Sequence, residues 1–231
     1  MDIYGAYRRS SLWKTEIMAS VNIFESLRAR VEKSGGLLPQ ERRAMLWFQN
    51  YNNELRAWQA RSRNQTFNTI ASSKFDKQLV PPKMAIQGCL YFFMYAPMDK
   101  GNLPYYDRFP LVLILEKDEK GFLGLNLHYL PYRVRAIFFD LLHSARLLRS
   151  SDPLRTRLLI TYRMLKSVTK YKAFRPCVRR YRYSSLRTAL LQVGETEWDV
   201  ALFLPVEQFA KSTRSSIWTE SLKDMRRMGD G

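Results

Sequence analysis

The chain of 231 residues is 46% hydrophobic and 13% aromatic, and its 38 lysines and arginines outnumber 21 aspartates and glutamates, a net charge of +17. Because so much apolar sequence excludes a disordered basic tail, the charge must lie on a folded protein. A positive charge of this size indicates contact with a polyanion, most commonly the phosphates of nucleic acid, with lipid headgroups as the main rival.

Two amphipathic helices are predicted at the start of the chain. Residues 12–33 carry apolar side chains at the three-and-four spacing of one helix face, and Gly35 and Gly36 end this run. Pro39 opens a second helical run, because proline is favoured in the first turn of a helix. This part of the chain is therefore expected to be helical.

A boundary between two parts of the chain is predicted at Pro81 and Pro82, since paired prolines interrupt regular structure. Residues 1–80 are expected to form a helical N-terminal extension. Residues 81–231 are expected to form an α+β core domain with basic helices.

Strands are predicted after this boundary, where the apolar period changes to two. Residues 88–95 and 109–117 are rich in aromatic and apolar side chains, as strands are. The sequence DEKG at 118–121 predicts a turn, and residues 122–130 alternate between leucine or tyrosine and smaller or polar residues. The unit is therefore predicted to be a β-hairpin with one buried face and one partly polar face.

Helices are predicted again in the C-terminal part of the chain. Proline signals predict helices over residues 131–148 and 152–165, and a last helix is predicted over residues 215–227. Thr196 and Asp199 fit a short capping box, although the apolar run that follows also fits a strand. The predicted fold class is α+β, with an N-terminal helical extension, a small antiparallel β-sheet with a hairpin, and basic C-terminal helices.

The positive charge is concentrated in one part of the sequence. Residues 131–190 contain twelve arginines and three lysines against two aspartates, a net charge of +13. Its densest stretch, residues 171–187, interleaves cations with tyrosine and phenylalanine. Guanidinium groups match phosphate oxygens geometrically and aromatic rings stack on exposed bases, a combination that favours nucleic acid over lipid.

Eight residues of this stretch are the candidate nucleic-acid-binding residues. The cations are expected to hold backbone phosphates, and the two tyrosines to position or stack on a terminal base. The set is Lys172, Arg175, Arg179, Arg180, Arg182, Arg187, Tyr181 and Tyr183. The alternative is that the arginines form a solvated helix face and the tyrosines belong to the core, and the anion itself is open between DNA, RNA and an acidic protein.

No catalytic, metal or cofactor motif accompanies the charge. Asp107 together with residues 118–120 resembles the carboxylate and D-x-K pattern of metal-dependent nucleases, but its second half is predicted to be an exposed turn. His128 and His143 lack neighbours at metal-ligand spacing, and His128 is expected to be structural. A phosphate-binding loop and a nucleophile elbow are both missing. We therefore expect a protein that is not an enzyme and binds no cofactor.

The cysteines and the apolar runs predict a soluble protein of a reducing compartment. Cys89 and Cys177 lie in different segments and define no disulfide framework. The N-terminal sequence lacks the apolar stretch of a secretory signal, and the longest apolar run, residues 111–115, is too short to cross a bilayer. Membrane contact is not expected.

Residues 103–142 carry a resemblance to a known family. The distinctive pieces are LPYYDRFPLVL and GLNLHYLP, with weaker support from WDVALFLPVEQF and IWTESLKDMRR nearer the C-terminus. This block resembles virion proteins of T4-like tailed phages, and among them it is most similar to the DNA end protectors.

The resemblance implies a function and a location. It implies a virion protein, made in the host cytoplasm, that binds the double-stranded end of the packaged genome near the portal and shields it from host exonuclease by occlusion. Portal, neck or tail subunits would be its protein neighbours. Two alternatives stay open: a structural neck or baseplate component whose basic face docks protein neighbours, and a nuclease that uses Asp118.

Overall fold

The computed structural model describes residues 22–35, 37–64, 79–147, 177–204 and 209–229. The helix predicted over residues 152–165 lies outside this part of the chain, as do residues 12–21 of the first predicted helix. Two of the candidate binding residues, Lys172 and Arg175, also lie outside it.

The described residues form helices at both ends of the sequence with strands between them. The α-helices are α1 (Ile23–Lys33), α2 (Leu37–Asn64), α3 (Tyr132–Leu147), α4 (Trp198–Leu202) and α5 (Arg214–Gly229). The strands are β1 (Leu79–Val80), β2 (Leu90–Phe92), β3 (Tyr106–Asp107), β4 (Leu111–Lys117), β5 (Gly121–Asn126), β6 (Val178–Arg182), β7 (Leu190–Gln192) and β8 (Phe209–Ala210). The predicted α+β class is confirmed.

Six strands form one antiparallel sheet in the order β1-β7-β2-β4-β5-β6, and β3 pairs with β8 in a second, two-stranded sheet. Strand β6 lies at one edge of the large sheet, whereas β7, the next strand in the chain, lies beyond β5, β4 and β2. The connection between them must therefore cross one face of the sheet. We call residues 182–187 the crossover.

The central strands are buried on both faces, which explains why residues 111–115 are apolar without alternation. On the first face the helices form the main core, in which Phe24 of α1 packs on Phe139 of α3 at a ring-centroid distance of 5.4 Å. Phe48 of α2 contacts Phe92 of β2 on the same face, at 5.6 Å. The second face carries a smaller core of aromatic and aliphatic side chains, including Tyr91, Phe93, Phe122, Tyr181 and Ile114.

Helix α1 is held at its start by a carboxylate from a distant helix. The Asp140 side chain on α3 accepts hydrogen bonds from the backbone N–H groups of Phe24 (2.8 Å) and Glu25 (2.9 Å). This is the role of an N-cap residue, supplied from another helix, and is worth about 1 kcal/mol. At the other end Gly35 adopts a φ of +66°, which confirms the predicted glycine stop.

The first two helices and the sheet share the main core, because buried side chains of α1 and α2 pack on β2 and α3. The division at residue 80 stays a prediction.

The hairpin is confirmed at its turn and corrected at its far end. The Asp118 N–H donates to the Gly121 carbonyl (2.9 Å), and the Asp118 Oδ1 accepts from the N–H groups of Lys120 and Gly121. The face predicted to be partly polar carries Asn126 and His128, and both are fully buried. Strand β5 ends at Asn126, whose Oδ1 accepts from the His128 N–H (2.9 Å) and begins a 3₁₀ turn.

The capping box was predicted between Thr196 and Asp199, but Gly194 and Glu197 form it instead. The Gly194 N–H donates to the Glu197 Oε2 (3.3 Å) one turn before α4, and Asp199 pairs with Arg43 of α2 at 3.2 Å. The apolar run that also fitted a strand begins as the helix α4.

Gly121 allows the edge strand β6 to pair closely with β5. A Cβ atom at this position would lie 2.0 Å from the backbone oxygen of Tyr181. Gly121→Ala is therefore expected to lower the free energy of unfolding by about 2 kcal/mol, because the clash is with backbone that cannot rotate away. Urea unfolding measures the loss, with Gly101→Ala as the control, since a Cβ there meets nothing within 4 Å. Equal stability of the two variants would contradict the expectation.

Candidate nucleic-acid interface

The six described candidate residues lie on β6 and on the crossover, but the structure gives them different environments. Arg180, Arg182 and Arg187 are exposed, Arg179 and Tyr183 are partly buried, and Tyr181 is buried. The sequence stretch is therefore not one uniform binding surface.

Tyr181 lies in the core of the second sheet face. Its side chain is 3% exposed and its ring stacks on Phe122 at 5.4 Å and meets Phe93 edge-on at 5.3 Å. Its hydroxyl accepts a hydrogen bond from the Asn126 Nδ2 (3.1 Å), and burial raises its pKa well above the ordinary tyrosine value. The stacking role expected of Tyr181 is corrected accordingly, because its ring offers no face to a base.

Two of the arginines contact other side chains of the protein. The Arg179 guanidinium carbon lies 4.7 Å from the centre of the Tyr129 ring, a cation–π contact in a largely buried position. Arg180 forms an ion pair with Asp118 of the hairpin turn, and this contact lowers the pKa of the Asp118 carboxyl. Both partners of that pair are about half exposed, so the pair is weak and Arg180 can exchange partners.

Arg182, Tyr183 and Arg187 remain at the surface of the crossover. Strand β6 ends at Arg182, and the Tyr183 N–H donates to the Lys120 carbonyl (3.0 Å) as a 3₁₀ turn begins. Leu186 then bridges to Tyr95, and the Arg187 N–H donates to the Met94 carbonyl (3.0 Å). This path carries the chain over the second face of the sheet.

Some side chains of the crossover are buried and others are exposed. Tyr183 and Leu186 pack on the second core, while Arg182, Ser184 and Arg187 are exposed. Within the described part of the chain, no carboxylate forms an ion pair with Arg182 or Arg187. Arg182 and Arg187 are thus exposed on a segment whose backbone is hydrogen-bonded to the rest of the protein at Tyr183 and at Arg187.

The sequence that precedes β6 is strongly basic. Residues 148–176 contain five arginines and three lysines against one aspartate, a net charge of +7, and include Lys172 and Arg175. The hairpin turn beside β6 contributes both signs, because Glu116, Asp118 and Glu119 lie among Lys117 and Lys120. In the sequence, the positive charge is therefore carried by the crossover and the segment that precedes β6 more than by the turn.

Arg135 belongs to the same basic stretch of sequence but is entirely buried. Its guanidinium donates to backbone carbonyls at the end of α4 and just before α3. The acceptors are Ala201 (3.3 Å), Leu202 (3.0 Å), Leu204 (3.1 Å) and Leu130 (3.2 Å). Sequence reasoning missed this role, although Arg135 is flanked at helical spacing by Tyr132, Phe138 and Phe139 and so lies on the buried stripe of α3.

Asp107, one half of the nuclease-like pattern, belongs to a buried polar network. Its Oδ2 contacts the His128 Nδ1 (2.8 Å) and accepts from the Asn126 Nδ2 (3.0 Å), while its Oδ1 accepts from the Phe109 N–H (3.0 Å). Asp118 lies in the turn at the opposite end of the β4–β5 hairpin. The two carboxylates are therefore not brought together.

Other chemical features are sparse in the described residues. Within them, no group of three or more histidine, cysteine, aspartate or glutamate side chains is placed to hold a metal ion. Cys89 and Cys177 are buried free thiols, and burial raises the pKa of Cys177 to about 12, so this thiol is protonated at neutral pH. In the same part of the chain, no helix has both the length and the apolar character to cross a membrane.

The fold and the surface define a class of protein: a basic α+β protein whose most basic segment leads into the edge strand and crossover of an antiparallel sheet. The family model described as Phage T4 terminal DNA protecting protein matches residues 10–221, most of the chain, and the chain belongs to that family. No curated protein and no solved structure matches it. The resemblance to the T4-like DNA end protectors is thus confirmed, and the chain is a phage DNA end-protecting protein.

Proposed function

We propose that this protein is a non-enzymatic virion component that binds the double-stranded end of the packaged genome near the portal and shields it from exonuclease by covering it. The family supports protection of a DNA terminus. The observation that supports this binding site is that Arg182 and Arg187 are both exposed on the crossover. Occlusion needs no reacting group, because an exonuclease must engage the free end before it can cut.

The contacts to DNA follow from the geometry of the crossover. Arg182 and Arg187 hold backbone phosphates, and Arg180 joins them by exchanging its exposed carboxylate partner for a phosphate. Lys172 and Arg175, in the preceding segment, extend the same contact. Tyr183 is the tyrosine left to meet a terminal base, since Tyr181 is buried.

Removing Arg182 and Arg187 is expected to weaken duplex binding and to reduce its salt dependence. Each phosphate contact contributes roughly −0.9 to the slope of log affinity against log salt, so the slope of the double alanine variant should be shallower by about 1.8. Fluorescence anisotropy with a labelled 30-bp duplex (about three helical turns) over a salt series measures both quantities.

The control removes equal charge from the helical side of the protein. Arg30 on α1 and Arg56 on α2 are exposed, and both helices pack on the main core, whereas the crossover packs on the second core through Tyr183 and Leu186. Replacing this pair with alanine should leave the slope close to that of the wild type. If the slope of log affinity against log salt became equally shallow in both double variants, binding would depend on net charge alone. The crossover would then not be the binding site.

Two further results separate this proposal from the alternatives. Mg²⁺-dependent cleavage of linear DNA, lost in Asp118→Ala, would identify a nuclease in place of a protector. Absence of DNA binding at every salt concentration, with the protein found in a ring of tail subunits in purified particles, would identify a structural neck or baseplate component. Contact with the genome terminus in intact particles is the result that we expect.

A further inference from the structure

The crossover adjoins an exposed apolar side chain that phosphate binding does not explain. Met98 is 68% exposed, and its sulfur lies 3.8 Å from the Ser184 hydroxyl, next in sequence to Tyr183. The loop that carries Met98 follows β2, and its backbone joins the crossover through the Ala96 N–H, which donates to the Ser185 carbonyl (3.0 Å). The loop that carries Met98 is therefore joined to the crossover at the two residues that follow Tyr183.

The loop after Met98 is held in place by a buttressing lysine. The Lys211 ammonium donates to the carbonyls of Lys100 (2.7 Å), Gly101 (3.2 Å) and Leu103 (3.1 Å). Lys211 itself adopts a φ of +68°, a left-handed conformation that costs energy for a residue with a side chain. These three hydrogen bonds anchor the backbone of the loop two to five residues after Met98.

The end of a duplex differs chemically from its interior. Along the interior, a protein meets phosphates and the edges of bases in the grooves, whereas the terminal base pair exposes a flat, uncharged face to water. Aromatic and thioether side chains pack well on such a face, and cations beside them meet the phosphates of the terminal nucleotides. Met98 and Tyr183, together with the exposed Arg182 and Arg187 of the crossover, have this composition.

We infer that Met98 and Tyr183 form a ledge that packs on the flat face of the terminal base pair, so that the crossover binds an open duplex end in preference to internal duplex. This inference rests on the proposed function and adds the chemical feature by which an end is recognised. The arginines supply affinity for any duplex. The ledge supplies the preference for a terminus.

The test compares two DNA molecules that differ only at their ends. One is a 30-bp duplex (about three helical turns) with blunt, open ends, and the other is the same duplex closed at both ends by hairpin loops, which cover the terminal base pairs. The wild-type protein should bind the open form more tightly. Met98→Gln, which keeps the length of the side chain and adds polarity, should reduce that preference by about fivefold or more, comparable to the loss of roughly one stacking contact.

A matched control carries the same change on the other side of the molecule. Leu46 on α2 is 61% exposed, and Leu46→Gln should leave the preference for open ends unchanged. The affinity of Met98→Gln for the closed duplex and its salt slope should equal those of the wild type. Its urea midpoint should also be unchanged, because Met98 is an exposed side chain.

The outcomes distinguish this inference from the proposed function. The inference is wrong if the wild-type protein binds open and closed duplexes equally. It is also wrong if Met98→Gln weakens the binding of both duplexes alike. Either result leaves phosphate binding by the crossover unaffected. If neither DNA is bound, the proposed function fails and the ledge fails with it. A fall in open-end preference confined to Met98→Gln supports the inference.

Discussion

Replacing Arg135 with alanine is expected to lower the free energy of unfolding by about 4 kcal/mol, a large loss for a single substitution. In a protein of this size that loss corresponds to a fall of roughly 8–16 °C in the melting temperature. Thermal and urea unfolding, followed by circular dichroism, measure both quantities.

The size of this effect follows from what the Arg135 guanidinium contacts. It is completely buried and donates to three carbonyls around the end of α4 and to one before α3. The carbonyl groups at the end of a helix have no partner within the helix, so Arg135 acts as the C-cap of α4. Burial lowers its pKa to about 10, and it therefore remains charged at neutral pH. Without it, buried acceptors lose their donors.

Two further variants separate the hydrogen bonds from the volume of the side chain. Arg135→Met fills most of the space without donors and should lose nearly as much stability as alanine. Arg133→Ala, at an exposed position on the same helix, should change stability by less than about 1 kcal/mol. A methionine variant as stable as the wild type would show that packing, and not capping, is what Arg135 provides.

Asp107→Ala is expected to lower the free energy of unfolding by about 3 kcal/mol. The carboxylate is 4% exposed and holds together β3, the end of β5 and the 3₁₀ turn that follows. Its loss would leave the Asn126 amide and the His128 ring nitrogen without this acceptor in a buried site. The Asn126 amide also donates to the Tyr181 hydroxyl, so the edge strand β6 would loosen as well.

The stability of variants at Asp107 and Asp118 also tests the nuclease alternative. Asp107→Asn keeps the size of the side chain and one acceptor oxygen, and should recover part of the stability. Asp118→Ala, in the exposed turn, should cost much less, although it removes the partner of Arg180. A carboxylate pair that acted in catalysis would give variants that are stable but inactive. We expect the reverse order, in which stability falls at Asp107 and changes little at Asp118.

Local signals in the sequence were sufficient for several elements. The DEKG turn, the glycine that ends α1 and the helix after Pro131 depend on contacts between residues close together in the chain, which a short sequence contains in full. The doubly buried strand at residues 111–115 was likewise recognisable as a strand from its composition. The resemblance over residues 103–142 was sufficient to identify the family, because it depends on the order of residues alone.

The functional residues were harder to predict because their environment comes from distant parts of the chain. The sequence placed Arg179, Tyr181 and Arg182 close together and gave all three a role in binding. Pairing β6 with β5 places Tyr181 opposite Phe122 in the second core and Arg182 opposite Gly121, at the turn end of the hairpin. Met98 carried no signal, since an isolated methionine in a loop is uninformative until its neighbour across the fold is known.

Charge, apolar content and period determine that this chain folds as a basic α+β protein, since these properties depend only on which residues are present and on their spacing. Which arginines face solvent was decided by the tertiary structure. Arg135 reaches carbonyls more than sixty positions away in the sequence, and Arg179 lies on a tyrosine from the turn after β5. The burial of a cation depends on acceptors brought from elsewhere in the chain, and their positions are set only once the strands have paired and the helices have packed.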